Sequence, residues 1–97
     1  MASHRIETYC QRLAFPIGAL IFSRAVDRLV RAGRLDPIPY FRRHTRGDWG
    51  DVNVQQWQAN STGASLESHY VIHPGLAIRI VTDAQRSATV IVLPSED

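Results

Sequence analysis

The stretch His44-Thr45-Arg46-Gly47-Asp48-Trp49-Gly50-Asp51 divides this chain into two unlike halves. Residues 46–51 hold two glycines, two aspartates, an arginine and a tryptophan. Glycine opens backbone angles closed to other residues, aspartate ties its side chain back to nearby amides, and tryptophan carries a large apolar surface that seeks a pocket. Together they predict a structured corner: Asp48 closes the glycine turn, and Asp51 or Asn53 caps the helix that follows.

On the N-terminal side of the corner the periodicity is helical. Ile6, Tyr9, Cys10 and Leu13 fall on one helical face, with Ser3 as a cap and Pro16 just beyond, which predicts a short helix over 5–13. Residues 17–22 form a short apolar run that fits a buried strand or the first part of a longer helix; Gly18 and the β-branched isoleucines favour the strand. Ser23 is a good N-cap for a helix that carries Val26, Leu29 and Val30 inward, places Arg24, Arg28 and Arg31 outside and stops at Gly33. Asp36-Pro37 starts another, with Ile38, Phe41 and, as a further candidate, Tyr40 inward and Arg42, Arg43 and Arg46 in solvent.

On the C-terminal side one more helix, running to about Thr62, is expected to turn Val54 and Trp57 into the core. The period then becomes extended. Three strands are predicted, over 66–73, 76–82 and 87–93, separated by Pro74-Gly75 and by the segment 83–86. The last contains Thr89-Val90-Ile91-Val92-Leu93, apolar on both faces, as a central covered strand would be. Strands joined by short turns are antiparallel. The fold class is therefore α+β: a three- or four-stranded antiparallel sheet with about three short helices packed on one face.

Ninety-seven residues make one domain, residues 15–97, preceded by an extension over 1–14 that reads as helical. With 44% hydrophobic and 21% charged residues the composition is that of a globular protein. No run approaches the length of a membrane span, and no signal-peptide pattern opens the chain, so a cytoplasmic location without membrane contact is expected. A single cysteine, Cys10, excludes an internal disulfide framework. All 11 cationic side chains are arginine, which excludes lysine-dependent chemistry. Residues 1–46 hold nine arginines against Glu7, Asp27 and Asp36, a balance of +6, whereas residues 47–97 balance at −4. Such a division suits contact with nucleic acid or an acidic protein surface.

Two motifs carry a family resemblance. Arg43-His44 followed by Gly47-Asp48-Trp49-Gly50-Asp51, and Ile80-Val81-Thr82-Asp83-Ala84-Gln85-Arg86-Ser87-Ala88-Thr89 ending in Leu93-Pro94-Ser95-Glu96, resemble a family of small uncharacterised plasmid-related proteins of bacterial plasmids and integrative elements. The likeness covers residues 15–96; Gln85 departs from the acidic or small residue expected there, and residues 1–14 extend beyond the pattern. What the resemblance implies is a mobile-element setting, in which small proteins act on host defence, plasmid maintenance or conjugation.

The residues singled out for binding are Arg42, Arg43, His44, Arg46, Asp48, Trp49 and Arg86. A non-enzymatic accessory protein that binds a host protein, with Trp49 and Arg46 as anchors, is the first expectation, interference with a defence system being its concrete form. The second is a nucleic-acid module in which Arg24, Arg28, Arg31, Arg34, Arg42, Arg43 and Arg46 grip phosphates while Tyr40 or Trp49 stacks on a base. A third is a small hydrolase or nuclease centred on His44, Asp48 and Asp51, with Arg86 stabilising negative charge. No cofactor is expected. His69 and His73 share a strand face but lie too far apart to chelate one metal ion, so no metal site is assigned. An exposed strand edge would allow a homodimer.

Overall fold

The structure, a computed structural model, describes residues 15–96; the expected helix over 5–13 and Cys10 lie outside the described residues. A short strand β1 (Ala19–Phe22) leads into helices α1 (Arg24–Arg31), α2 (Ile38–Thr45) and α3 (Val54–Ser61). Strands β2 (Leu66–His73), β3 (Leu76–Thr82) and β4 (Ala88–Val92) follow, and a single 3-10 turn (Pro94–Glu96) ends the described chain. The sheet order is β1-β4-β3-β2. β2, β3 and β4 form the antiparallel meander that their short turns dictate. β1 instead pairs parallel to β4, Leu20 opposite Thr89 and Ile21 opposite Val90. The short-turn argument holds only for consecutive strands; the connection from β1 to β4 spans most of the domain and permits the parallel sense. The sheet is therefore mixed, although mostly antiparallel.

Ser23 caps α1, the Val26 N–H donating to its Oγ at 3.2 Å; at α2 the N-cap is Pro37, without a side-chain cap, and the Ile38 N–H donates to Asp36 Oδ1 at 3.2 Å just ahead of it. α1 ends on Gly33 at φ +70°, where the Gly33 and Arg34 amides donate back to Val30 and Leu29 at 3.1 and 2.9 Å. This is the Schellman pattern, and glycine supplies the left-handed residue it needs. Val26 of α1 and Phe41 of α2 reach the sheet and close a core with Leu35, Tyr70, Ile78, Ile80 and Ile91. Each fully buried isoleucine there contributes roughly 1.5–3 kcal/mol. Ile38, expected inward, stays 39% exposed, because the stripe of α2 that reaches the core begins at Phe41 and continues through His44 and Thr45.

Two further expectations are corrected. β4 is central, between β1 and β3, yet only Thr89 and Ile91 are buried; Val90 and Val92, on the face away from the core, are half-buried. Val54 and Trp57 do not enter the core: they are 69% and 56% exposed. The cause lies on the opposite side of α3. Gln56 Nε2 donates to Asn60 Oδ1 at 2.8 Å, and the buried Asn60 amide exchanges two hydrogen bonds with the Glu67 backbone, at 2.8 and 3.0 Å. This polar anchor faces the sheet and turns the apolar pair outward.

Candidate nucleic-acid interface

The corner around Trp49 is a plug for the free edge of β2. The His69 N–H donates to the Trp49 carbonyl at 3.0 Å, the Asp51 N–H donates to the His69 carbonyl at 2.6 Å, and Gly50 bridges to His69 in the parallel sense. Only glycine fits at Gly50, since an added Cβ would come within 2.2 Å of the His69 carbonyl oxygen. The Asp51 carboxylate accepts the next edge amide, Val71 N–H, at 3.1 Å. The helix cap is therefore left to Asn53, whose Oδ1 accepts the Gln56 N–H at 2.7 Å. With Asn60 on Glu67, the outward-facing amides of Glu67, His69 and Val71 are all engaged. An edge covered in this way resists pairing with another chain.

His44 lies at the bottom of the corner, fully buried. Nδ1 is hydrogen-bonded to the Ser68 hydroxyl, Nε2 stands 2.9 Å from Thr82 Oγ1, Thr82 Oγ1 stands 2.7 Å from Thr89 Oγ1, and Thr89 Oγ1 donates to the Ile17 carbonyl at 2.8 Å. The directions follow from the last link. A carbonyl only accepts, so Thr89 spends its one proton on Ile17 and accepts from Thr82; Thr82 then accepts from His44. Nε2 therefore carries a proton, and in the neutral ring Nδ1 accepts from the Ser68 hydroxyl. Burial pushes the His44 pKa down to about 4, in keeping with a neutral ring. Phe15 and Trp49 close over it, their ring centroids 5.3 and 5.4 Å from the imidazole and 6.0 Å from each other.

The residues proposed from sequence as a hydrolytic cluster are therefore employed separately. His44 has both ring nitrogens bonded inside the core. Asp48 holds Arg43, with Nε at 2.8 Å from Oδ2, and closes the glycine turn by accepting the Gly50 N–H at 3.2 Å. The bond to Arg43 keeps the Asp48 carboxyl below its ordinary range and raises the guanidinium in turn. Asp51 serves the strand edge. Among the described residues no three His, Cys, Asp or Glu side chains are placed to hold a metal ion.

Arg43 and Arg86 are also tied down. The Arg43 guanidinium lies 4.7 Å over the Tyr70 ring, whose hydroxyl donates to the Asp48 carbonyl and whose burial pushes its pKa up to about 12. Arg86 sits at φ +59° and its fork donates to Gly63, Ala64 and Asp83 carbonyls at 2.6, 2.7 and 2.8 Å, locking the α3–β2 loop onto the β3–β4 turn. In that turn the Asp83 carboxyl accepts from the Ser87 hydroxyl and amide, which hold its pKa below the usual range. Trp49 is half-buried under Phe15, and Tyr40 packs on Tyr70 with centroids 5.5 Å apart, so neither ring stands free as a stacking platform.

A different set remains on the surface. Arg24 and Arg28 on α1, Arg34 in the following loop, Arg42 on α2 and Arg46 just beyond it are exposed, and none has an ion-pair or hydrogen-bond partner for its guanidinium among the described residues. The described carboxylates, by contrast, are all engaged. Asp27 pairs with Arg31 at 2.9 Å and Glu67 with Arg79 at 3.1 Å; Asp36, Asp48, Asp51 and Asp83 serve caps, the corner and a turn. Glu96 accepts from the Ser23 hydroxyl at 2.6 Å, which lowers its pKa. Over residues 15–46 seven arginines stand against Asp27 and Asp36, so this segment carries net positive charge.

Set beside family models, curated proteins and solved structures, the chain matches none of them. Of the binding residues named from sequence, Arg42 and Arg46 are exposed with no guanidinium partner among the described residues, while Arg43, His44, Asp48, Trp49 and Arg86 are joined in or against the corner and loops. Trp57 is the exposed aromatic that the sequence reading placed in the core. The polar Gln56 and Asn60 on the other side of α3 were the signal for its true orientation.

Proposed function

We propose that this chain is a non-catalytic binding module that holds the sugar-phosphate backbone of nucleic acid against its helix layer. One observation carries the reading: Arg24, Arg28, Arg34, Arg42 and Arg46 are exposed without partners among the described residues, while every described carboxylate is already engaged within the fold. A guanidinium fork matches phosphate geometry, and neutralising phosphates releases condensed counterions. Contacts of this kind fix position and carry little sequence information. The mobile-element setting implied by the sequence resemblance supplies DNA as the nearby polyanion. Electrophoretic mobility shift at low salt tests the reading: the wild type is expected to retard duplex and single-stranded fragments, and a folded Arg24→Ala/Arg28→Ala/Arg42→Ala/Arg46→Ala variant to leave them free. Equal retardation by both proteins would refute it.

A host-protein partner, including a component of a defence system, is the second reading. Trp57 and Val54, 56% and 69% exposed and three residues apart on α3, support it, because an exposed tryptophan is a common interface anchor. Capture of a protein from nuclease-treated lysate, lost in Trp57→Ala, would favour this reading over the first. The hydrolase alternative draws no support from the geometry around His44.

A further inference from the structure

We infer that the arginine layer ends in a pocket for an unpaired nucleotide, so that single strands and strand ends are the preferred form of the polyanion. The inference rests on the nucleic-acid reading above and narrows it. A cleft of about 390 Å³ opens where the α1–α2 loop meets the β2–β3 hairpin, lined by Leu29, Arg34, His73, Gly75 and Leu76. Local chain chemistry builds each wall. The Schellman cap of α1 carries the Arg34 amide back to the Leu29 carbonyl at 2.9 Å, which sets a free guanidinium beside an apolar side chain. Across the cleft, the Gly75 N–H donates to His73 Nδ1 at 3.1 Å. Nδ1 is therefore an acceptor, and the neutral ring carries its proton on Nε2, a donor with no partner among the described residues. Leu29 and Leu76 pack against the buried core and give the cleft apolar walls held in place.

Two apolar walls, one N–H donor and one guanidinium suit a planar base bearing a carbonyl acceptor and joined to a phosphate. Arg34 belongs both to the cleft and to the exposed arginine set, so the base in the cleft and the phosphates along α1 and α2 belong to one strand. In a duplex the base is stacked and paired, and drawing it out costs that stacking; in a single strand the cost is smaller. The preference for single strands follows from this difference.

Fluorescence anisotropy tests the inference with three probes of equal length: oligothymidylate, an abasic strand with the same backbone, and a blunt duplex. The wild type is expected to bind oligothymidylate about tenfold more tightly than the abasic strand. His73→Ala should bring oligothymidylate to the abasic level and leave abasic binding unchanged; Arg34→Ala should weaken both. Methyl resonances of Leu29 and Leu76 in the wild type should shift with oligothymidylate and not with the abasic strand, which reads the pocket without any substitution. Equal affinity for thymidylate and abasic strands, or unmoved methyl resonances, would overturn the pocket and leave the arginine layer standing. Binding of no probe at low salt would remove the nucleic-acid reading itself, and the pocket with it.

Discussion

His44 Nε2 lies 2.9 Å from Thr82 Oγ1, and the fully buried hydroxyls around it hold the neutral imidazole in one tautomer, with the proton on Nε2. The folded protein holds the His44 pKa at about 4, against 6.5 in the unfolded chain. As pH falls below 6.5 the unfolded state takes up the proton first, so stability declines from there to about pH 4 and levels off once both states are protonated. The expected loss is about 3 kcal/mol. Urea midpoints from pH 7 downward measure it; Asp48, Asp83 and Glu96, held low, begin to add their own loss as pH falls through their ordinary values, 3.8 for the aspartates and 4.5 for the glutamate, so the His44 part is read above these. A flat profile, or nitrogen NMR showing the proton on Nδ1, would contradict the arrangement.

Asn60 should prove costlier than its polar character suggests. Asn60→Ala orphans both the N–H and the carbonyl of Glu67, and is expected to lower stability by about 2 kcal/mol. It also uncovers part of the β2 edge, so concentration-dependent association should appear in light scattering. An unchanged melting curve would mean that the edge is not held as described.

Arg86 is assigned to the fold, not to a ligand. Arg86→Ala is expected to destabilise by about 2 kcal/mol, because three carbonyls lose a charged donor. Arg86→Lys should not rescue it, since an ammonium cannot span the same fork. Nucleic-acid affinity of the folded fraction should be unaffected; a selective loss of binding with stability intact would reassign the residue.

The two tryptophans should separate cleanly. Trp57→Ala is expected to change stability by no more than about 0.5 kcal/mol, as an exposed position does. Trp49→Ala, which removes the lid over His44, is expected to cost about 3 kcal/mol. Chemical denaturation of each variant decides it; comparable losses would place Trp57 in the core.

Much of this architecture was legible in the chain because local signals and tertiary packing agree. Ser23 and Gly33 bound α1, and the turns at Pro74-Gly75 and 83–86 separate the last three strands. What local signals do not carry is pairing at a distance. The parallel partner of β1 lies some seventy residues away, and Ile21 opposite Val90 leaves no trace in periodicity. Apolarity alone points Val54 and Trp57 of α3 inward, but Asn60 holds the opposite face of the helix through the Glu67 backbone. The glycines and aspartates of the corner mark it as structured, and Asp48 closes the turn as its position predicts. Its purpose as an edge plug required the position of β2. The arginines stand out in the sequence, yet only the pairing of Arg43 with Asp48 and of Arg31 with Asp27 separates these two from the arginines without an ion-pair partner among the described residues.

The most direct measurement is the salt dependence of binding to a fluorescent duplex. Each phosphate neutralised by an arginine contributes about −0.9 to the slope of log K against log salt. The wild type should therefore show a steep negative slope, and a folded Arg24→Ala/Arg42→Ala variant should bind more weakly with a slope shallower by about 1.8. Binding that is absent at low salt, or a slope unchanged in the variant, would contradict the assignment of the helix layer to nucleic acid.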